Sequence, residues 1–152
     1  MLPSAGQSPE IGDSAPDFSL VDVSGNEIRL GDFKGKKNVV LVFYADGTWS
    51  FSHRRLGELQ EKISEIETIN AEVIAFATSG NQDDVETSKS VQEITFTLIP
   101  KPNRKVVEDF GLKYYDGAAY GTIIIDKGGI IRFKNINDID SASTIIRELQ
   151  GI

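Results

Sequence analysis

The chain has 152 residues, 39% hydrophobic and 26% charged, which suits one ordinary globular domain that buries its core without disulfides or a metal. No apolar run approaches the roughly 20 residues that cross a bilayer. A formal net charge of -7 with no dense Lys/Arg cluster opposes the counterion release that drives nucleic-acid binding, so neither membrane nor nucleic acid is an expected partner.

Residues 1–13 carry Pro3, Pro9, two Gly and several Ser and read as a loosely attached lead-in, with a single domain expected over residues 14–152. The opening shows neither a basic nor an apolar leader pattern, which makes a cytoplasmic location the default expectation. The segment FSLVDV from Phe18, the permissive triplet Ser24-Gly25-Asn26 and EIRL then predict a hairpin. GDFKGKK reads as a one-turn helix or loop.

Val39 to Tyr44 (VVLVFY) is an unbroken β-branched and aromatic run, the pattern of a central strand buried on both faces. Leu56, Leu59, Ile63 and Ile66 follow at helical spacing and predict one helix starting between Ser50 and His53. The intervening loop, Ala45 to Ser52, falls at the carboxyl edge of the sheet, where open α/β sheets build their sites.

AEVIAFA from Ala71 predicts a second buried strand, and NQDDVETSKSVQE a polar helix whose acidic first turn suits the helix dipole. TFTLI reads as a short strand running into a Pro100-Lys101-Pro102 turn. KVVEDF reads as a helix ending at Gly111. Gly121 to Ile125, the turn DKGG and IIRF predict a second hairpin. A last helix is expected from Asp140 or Ser141, with Ile145, Ile146 and Leu149 facing the core. Alternating strand and helix signals define an α/β fold, a central sheet with helices on both faces.

The phrases IGDSAPDFSLVDVSGNEIRLGDFKGKKNVVLVFY, LGELQE, AEVIAFATSG, NRKVVEDFGL and IIIDKGGIIRF, in that order over about residues 11–150, resemble the peroxiredoxin-like family. This is the alkyl hydroperoxide reductase and thiol-specific antioxidant superfamily with its redoxin branch. The resemblance implies a thioredoxin-like fold with a central mixed sheet, an antioxidant oxidoreductase activity, peroxide and a thiol reductant as reaction partners, and a homodimer.

The family's chemistry resides in a Pro-x-x-x-Thr-x-x-Cys stretch after the central strand and an Arg on a later strand. Aligned without gaps, the Pro position is Ala45, the Thr position is Trp49, the peroxidatic Cys position is Ser52 and the Arg position is Tyr120. Sliding the loop by one residue brings His53 to the Cys position and Ser50 to the Thr position. Trp49-Ser50-Phe51-Ser52-His53 also resembles the Trp-Cys-x-x-Cys motif of redoxins. Neither register supplies a thiol, because the chain has no cysteine.

Ser52 cannot stand in for the missing thiol. A free thiol ionises near pKa ~8.5, whereas an alcohol holds its proton about as tightly as water, near ~15.7. The difference is ~10 kcal/mol, against at most ~2 kcal/mol from a helix N-terminus. Oxygen also lacks the reversible thiolate-to-sulfenic step. The chain is therefore expected to be inactive as a thiol peroxidase, and a non-catalytic binding module on the former active-site face is the alternative reading. Two origins are open, replacement of cysteine by design at position 50 or 52 or natural loss. The absence of the Pro, Thr and Arg equivalents favours loss.

Other chemistries find less support. Ser52 and His53 are neighbours that point apart on a helix, with no third group to orient them, which argues against a hydrolase. One histidine and no cysteine leave only scattered carboxylates, so neither a metal nor a cofactor is expected. Arg54 and Arg55 read as a solvated face or an anion contact at the helix start. Tyr114, Tyr115 and Tyr120 read as lining for a small apolar pocket or as ordinary packing.

Overall fold

The computed structural model of the protein describes residues 8–46, 51–136 and 138–152, with the side chain of Phe51 left aside. Strands β1 (Ser19–Val21) and β2 (Glu27–Arg29) pair antiparallel, Ser19 opposite Arg29. Asp22 closes their turn by accepting from the N–H groups of Ser24 and Asn26 at 2.9 and 2.8 Å. A short 3-10 turn, Leu30–Phe33, leads to β3 (Asn38–Ala45).

β3 pairs in parallel with β4 (Ala71–Ser79), and β4 in parallel with β5 (Thr97–Pro100). On its other side β3 pairs antiparallel with β6 (Gly121–Ile125), which pairs antiparallel with β7 (Ile131–Ile136). The mixed sheet thus has the order β5-β4-β3-β6-β7. β5 runs one residue further than the sequence indicated, through Pro100. As an edge strand it leaves its missing N–H without consequence.

The period-2 alternation of β3 divides the core. Val40, Val42 and Tyr44 face a cluster with Leu56 and Leu59 of α1 (Phe51–Glu61), Ile66 of α2 (Ile63–Thr68), Val85 of α3 (Gln82–Gln92), and Ile145 and Leu149 of α5 (Ala142–Gln150). Val39, Leu41 and Phe43 face the second cluster, with Phe18, Leu30, and Val107 of α4 (Arg104–Asp109). Phe43 stacks on Phe76 at 4.7 Å between ring centroids, and Phe18 meets Phe76 edge-on at 5.3 Å. Helices therefore cover both faces of the sheet.

The single helix expected over Leu56 to Ile66 is two helices. It breaks at Lys62, whose N–H is shared between the carbonyls of Glu58 and Leu59 at 3.2 and 3.1 Å. Apolar spacing alone did not show the break, because Leu59 and Ile66 still reach the same core. At the start of the chain, residues 8–13 are tied to the sheet. Gly12 donates to the Ile131 carbonyl at 2.8 Å, Ile131 donates to the Asp13 carbonyl at 3.0 Å, and Pro9 is buried. Among the described residues no helix is long and apolar enough to cross a membrane.

Candidate functional site at the carboxyl edge of the sheet

β3 ends at Ala45 and α1 begins at Phe51, so Asp46 and the first turn of α1 meet over the carboxyl edge. β6 runs antiparallel to β3 with Gly121 opposite Phe43, which brings Tyr120 to the same edge. Thr78, at the end of β4, joins these pieces. Its buried hydroxyl lies 3.0 Å from the Tyr44 carbonyl and 2.9 Å from that of Ala119, and it accepts from the Ala119 N–H at 2.9 Å.

Ser52 is only 1% exposed, and its hydroxyl has no hydrogen-bond partner among the described residues. Leu56, four residues on, is buried in the core, so Ser52 lies on the inward face of α1. The half-buried His53 accepts a hydrogen bond at its carbonyl from the Gln92 side-chain amide at 2.8 Å, locking the start of α1 to the end of α3. Arg54 is exposed, and Arg55 pairs with Glu58 at 2.8 Å. Trp49 and Ser50 lie outside the described residues.

Asp46 is the residue that sequence reasoning missed. One carboxylate oxygen accepts from the Ser88 hydroxyl at 2.9 Å, and the other is buried without a partner among the described residues. Burial pushes the carboxyl above its ordinary range. The Ser88 hydrogen bond opposes this, the Asp84 charge adds to it, and His53 pulls it back down. Gly80, at φ +95°, makes room: a Cβ there would stand 2.7 Å from that of Asp46.

Tyr44 lies two residues before Asp46 and feels its charge. Its hydroxyl is buried without a partner among the described residues, and burial, then the Asp46 charge, push the phenol upward. The Gln92 carbonyl oxygen is a fourth such atom. Ser88 and Gln92, four apart on α3, project toward the same edge.

Three of the candidate positions, Ser52, His53 and Tyr120, thus share one edge. The tyrosines do not gather. Tyr120 packs against the α1/α3/α5 cluster, whereas Tyr114 lies on the opposite face of the sheet under the Arg104 guanidinium, 4.2 Å from its ring centroid. Tyr115 is exposed. The three tyrosines therefore do not line one pocket, and Tyr114 and Tyr120 take the alternative of ordinary packing, one on each face of the sheet. Among the described residues no group of three His, Cys, Asp or Glu side chains is arranged to hold a metal.

This arrangement, a mixed sheet with a strand-loop-helix site at the carboxyl end of its central strand, defines a thioredoxin-like α/β protein of peroxiredoxin type. The family profile described as AhpC/TSA matches residues 11–134, and the chain belongs to that family. A putative peroxiredoxin, ycf42, of Trieres chinensis is 26% identical over 95% of this chain and 77% of its own length. The chloroplastic 2-Cys peroxiredoxin BAS1 of Spinacia oleracea is 28% identical over 95% of this chain, which spans 60% of the spinach protein. Among solved structures, peroxidoxin BcpB from Mycobacterium tuberculosis superposes with a TM-score of 0.82 at 18% identity, over 95% of this chain and 98% of that one. The reduced 2-Cys peroxiredoxin of Plasmodium vivax gives 0.79 at 20% identity, over 92% and 80%. The structural likeness concerns the fold. The chain itself has no cysteine at any position and cannot run a thiol-peroxidase cycle.

Proposed function

We propose that this protein is a non-catalytic member of its family, a pseudoenzyme that retains the peroxiredoxin scaffold and uses the former active-site edge to bind a small polar molecule. The observation that carries this reading is Ser52. It stands at the position that the gapless register of the resemblance gives to the thiol, is 1% exposed, and has a hydroxyl with no partner among the described residues. Tyr44, Asp46 and Gln92 each add an unpartnered buried oxygen at the same edge. Buried polar atoms are satisfied almost everywhere in native proteins, so such a cluster marks where a hydrogen-bonding guest belongs. Two of these oxygens, on Asp46 and Gln92, accept only, and the two hydroxyls adapt, so the guest donates hydrogen bonds.

Peroxide and a thiol reductant drop out of this reading because no atom of the chain can cycle through a sulfenic acid. The test is a thermal-shift series with small alcohols, primary amides and alkylamines. The expected result is a saturable rise in Tm with at least one of these classes, abolished in the combined Tyr44→Phe and Ser52→Ala variant. No response in any class, or an undiminished response in that variant, overturns the binding role. Turnover of hydrogen peroxide by the unaltered chain above a reductant-only blank overturns the non-catalytic one.

A further inference from the structure

At the other pole of the sheet, remote from Ser52, the fold encloses a second cleft of about 150 Å³. Its floor is apolar, formed by Leu30, Phe33, Val39 and Ile125. One wall is the segment Ser14 to Asp17, laid along the β6–β7 turn by the Ala15 N–H donating to the Gly129 carbonyl at 2.9 Å. The other is the 3-10 turn, held by Asp17, which accepts from the N–H groups of Phe18 and Gly31 at 2.8 and 3.0 Å. The cleft is thus fixed by backbone hydrogen bonds before anything enters it.

Its charge is set by which groups are already engaged. Asp17 is turned onto the two amides just named. Asp126 accepts from the N–H groups of Gly128 and Ile130 at 2.9 and 3.0 Å and pairs with Arg132 at 2.6 Å. Asp126 is thus paired with a cation, whereas Asp17 spends one oxygen on the two amides and keeps its charge. Lys37 has only a long contact with Glu72, at 3.5 Å. The stem of Lys34 passes over Gly129, which at φ +84° presents no side chain, and a Cβ there would meet the lysine chain at 3.6 Å. Lys34 is exposed and forms no ion pair among the described residues. Lys36 and Lys127 belong to the same pole, where the Gly35 N–H meets the Lys127 carbonyl at 2.6 Å. On a chain of net charge -7, Lys34, Lys36, Lys37 and Lys127 gather beside an apolar floor, against Asp17 as the one lining carboxylate without a cationic partner among the described residues.

We propose that this cleft binds a small monocarboxylate with a compact apolar body, its carboxylate at the mouth against the Lys34 ammonium, aided by Lys37. A space of about 150 Å³ is large enough for one six-membered ring. The apolar floor favours a ring over water, and the Lys34 ammonium favours an acid over its alcohol. This site does not depend on the reading of the Ser52 edge.

Benzoate is the probe, followed by amide NMR shifts on the full chain, with benzyl alcohol as its uncharged counterpart. The expected result is saturable binding in the millimolar range, with shifts centred on Leu30, Phe33 and Ile125 and weaker binding of benzyl alcohol. Lys34→Gln, an exposed change, should weaken benzoate about three- to five-fold while leaving benzyl alcohol unchanged. No saturable shift up to tens of millimolar, equal affinity for acid and alcohol, no effect of Lys34→Gln, or shifts centred on the Ser52 edge would each overturn the assignment.

Discussion

Asp46 accepts a 2.9 Å hydrogen bond from Ser88, 42 positions away, and this pair ties the end of the central strand to the third helix at the edge where the family keeps its chemistry. The pair satisfies one oxygen of a half-buried carboxylate and leaves the other, itself buried, without a partner among the described residues.

The upward shift of Asp46, caused first by burial, has a defined consequence for stability. Because the folded state holds this proton more tightly than the unfolded chain, the contribution of Asp46 to stability is fully present below the ordinary carboxylate value of 3.8 and is lost as pH rises through the raised folded-state value. Asp46→Asn retains an oxygen for Ser88 and removes the buried charge. The variant should melt above the parent at neutral pH, with the advantage shrinking as pH is lowered toward that ordinary value. Melting curves across pH check this, and an advantage independent of pH would contradict it.

Tyr44→Phe removes a buried hydroxyl that has no partner among the described residues. Leaving such a group unsatisfied costs about 1–3 kcal/mol, so the variant should match the parent or exceed it by about 1 kcal/mol in urea denaturation. A loss of stability instead would show that the hydroxyl is bonded in solution, by water or by the guest.

Thr78→Val has the opposite sign. The hydroxyl accepts from the Ala119 N–H and has one proton to share between the Tyr44 and Ala119 carbonyls, and valine keeps the shape while removing both functions. A loss of about 2 kcal/mol is expected in the same assay, with Thr78→Ser retaining most of the stability.

Period and composition were enough to read the strands and the fold class. VVLVFY and AEVIAFA are buried on both faces because each is flanked by strands and covered by helices above and below, and unbroken apolar runs encode that directly. The break at Lys62 was not legible, since the apolar residues on either side serve one core. Asp46 was missed for a different reason. In sequence it is an ordinary loop carboxylate, and its burial comes from Ser88 and Gly80, brought to it by the packing of α3 and the end of β4. Ser52 was legible through the spacing of the resemblance, but its missing hydrogen bond is a fact of three dimensions. The tyrosines illustrate the limit of proximity in sequence, since Tyr114 and Tyr120 end on opposite faces of one sheet.

The non-catalytic function proposed above entails the loss of more than one sulfur atom from the site. Ala45, Trp49 and Tyr120 stand where the resemblance calls for Pro, Thr and Arg, so restoring a thiol alone should not restore its activation. The decisive measurement is the rate of hydrogen peroxide consumption, with trapping of a sulfenic acid, by Ser52→Cys and in parallel by His53→Cys, using the cysteine-free chain as blank. Both thiols should react no faster than a free thiol in solution. Reaction well above that rate in either variant would show that the pocket still activates a thiolate, and would contradict the proposed loss.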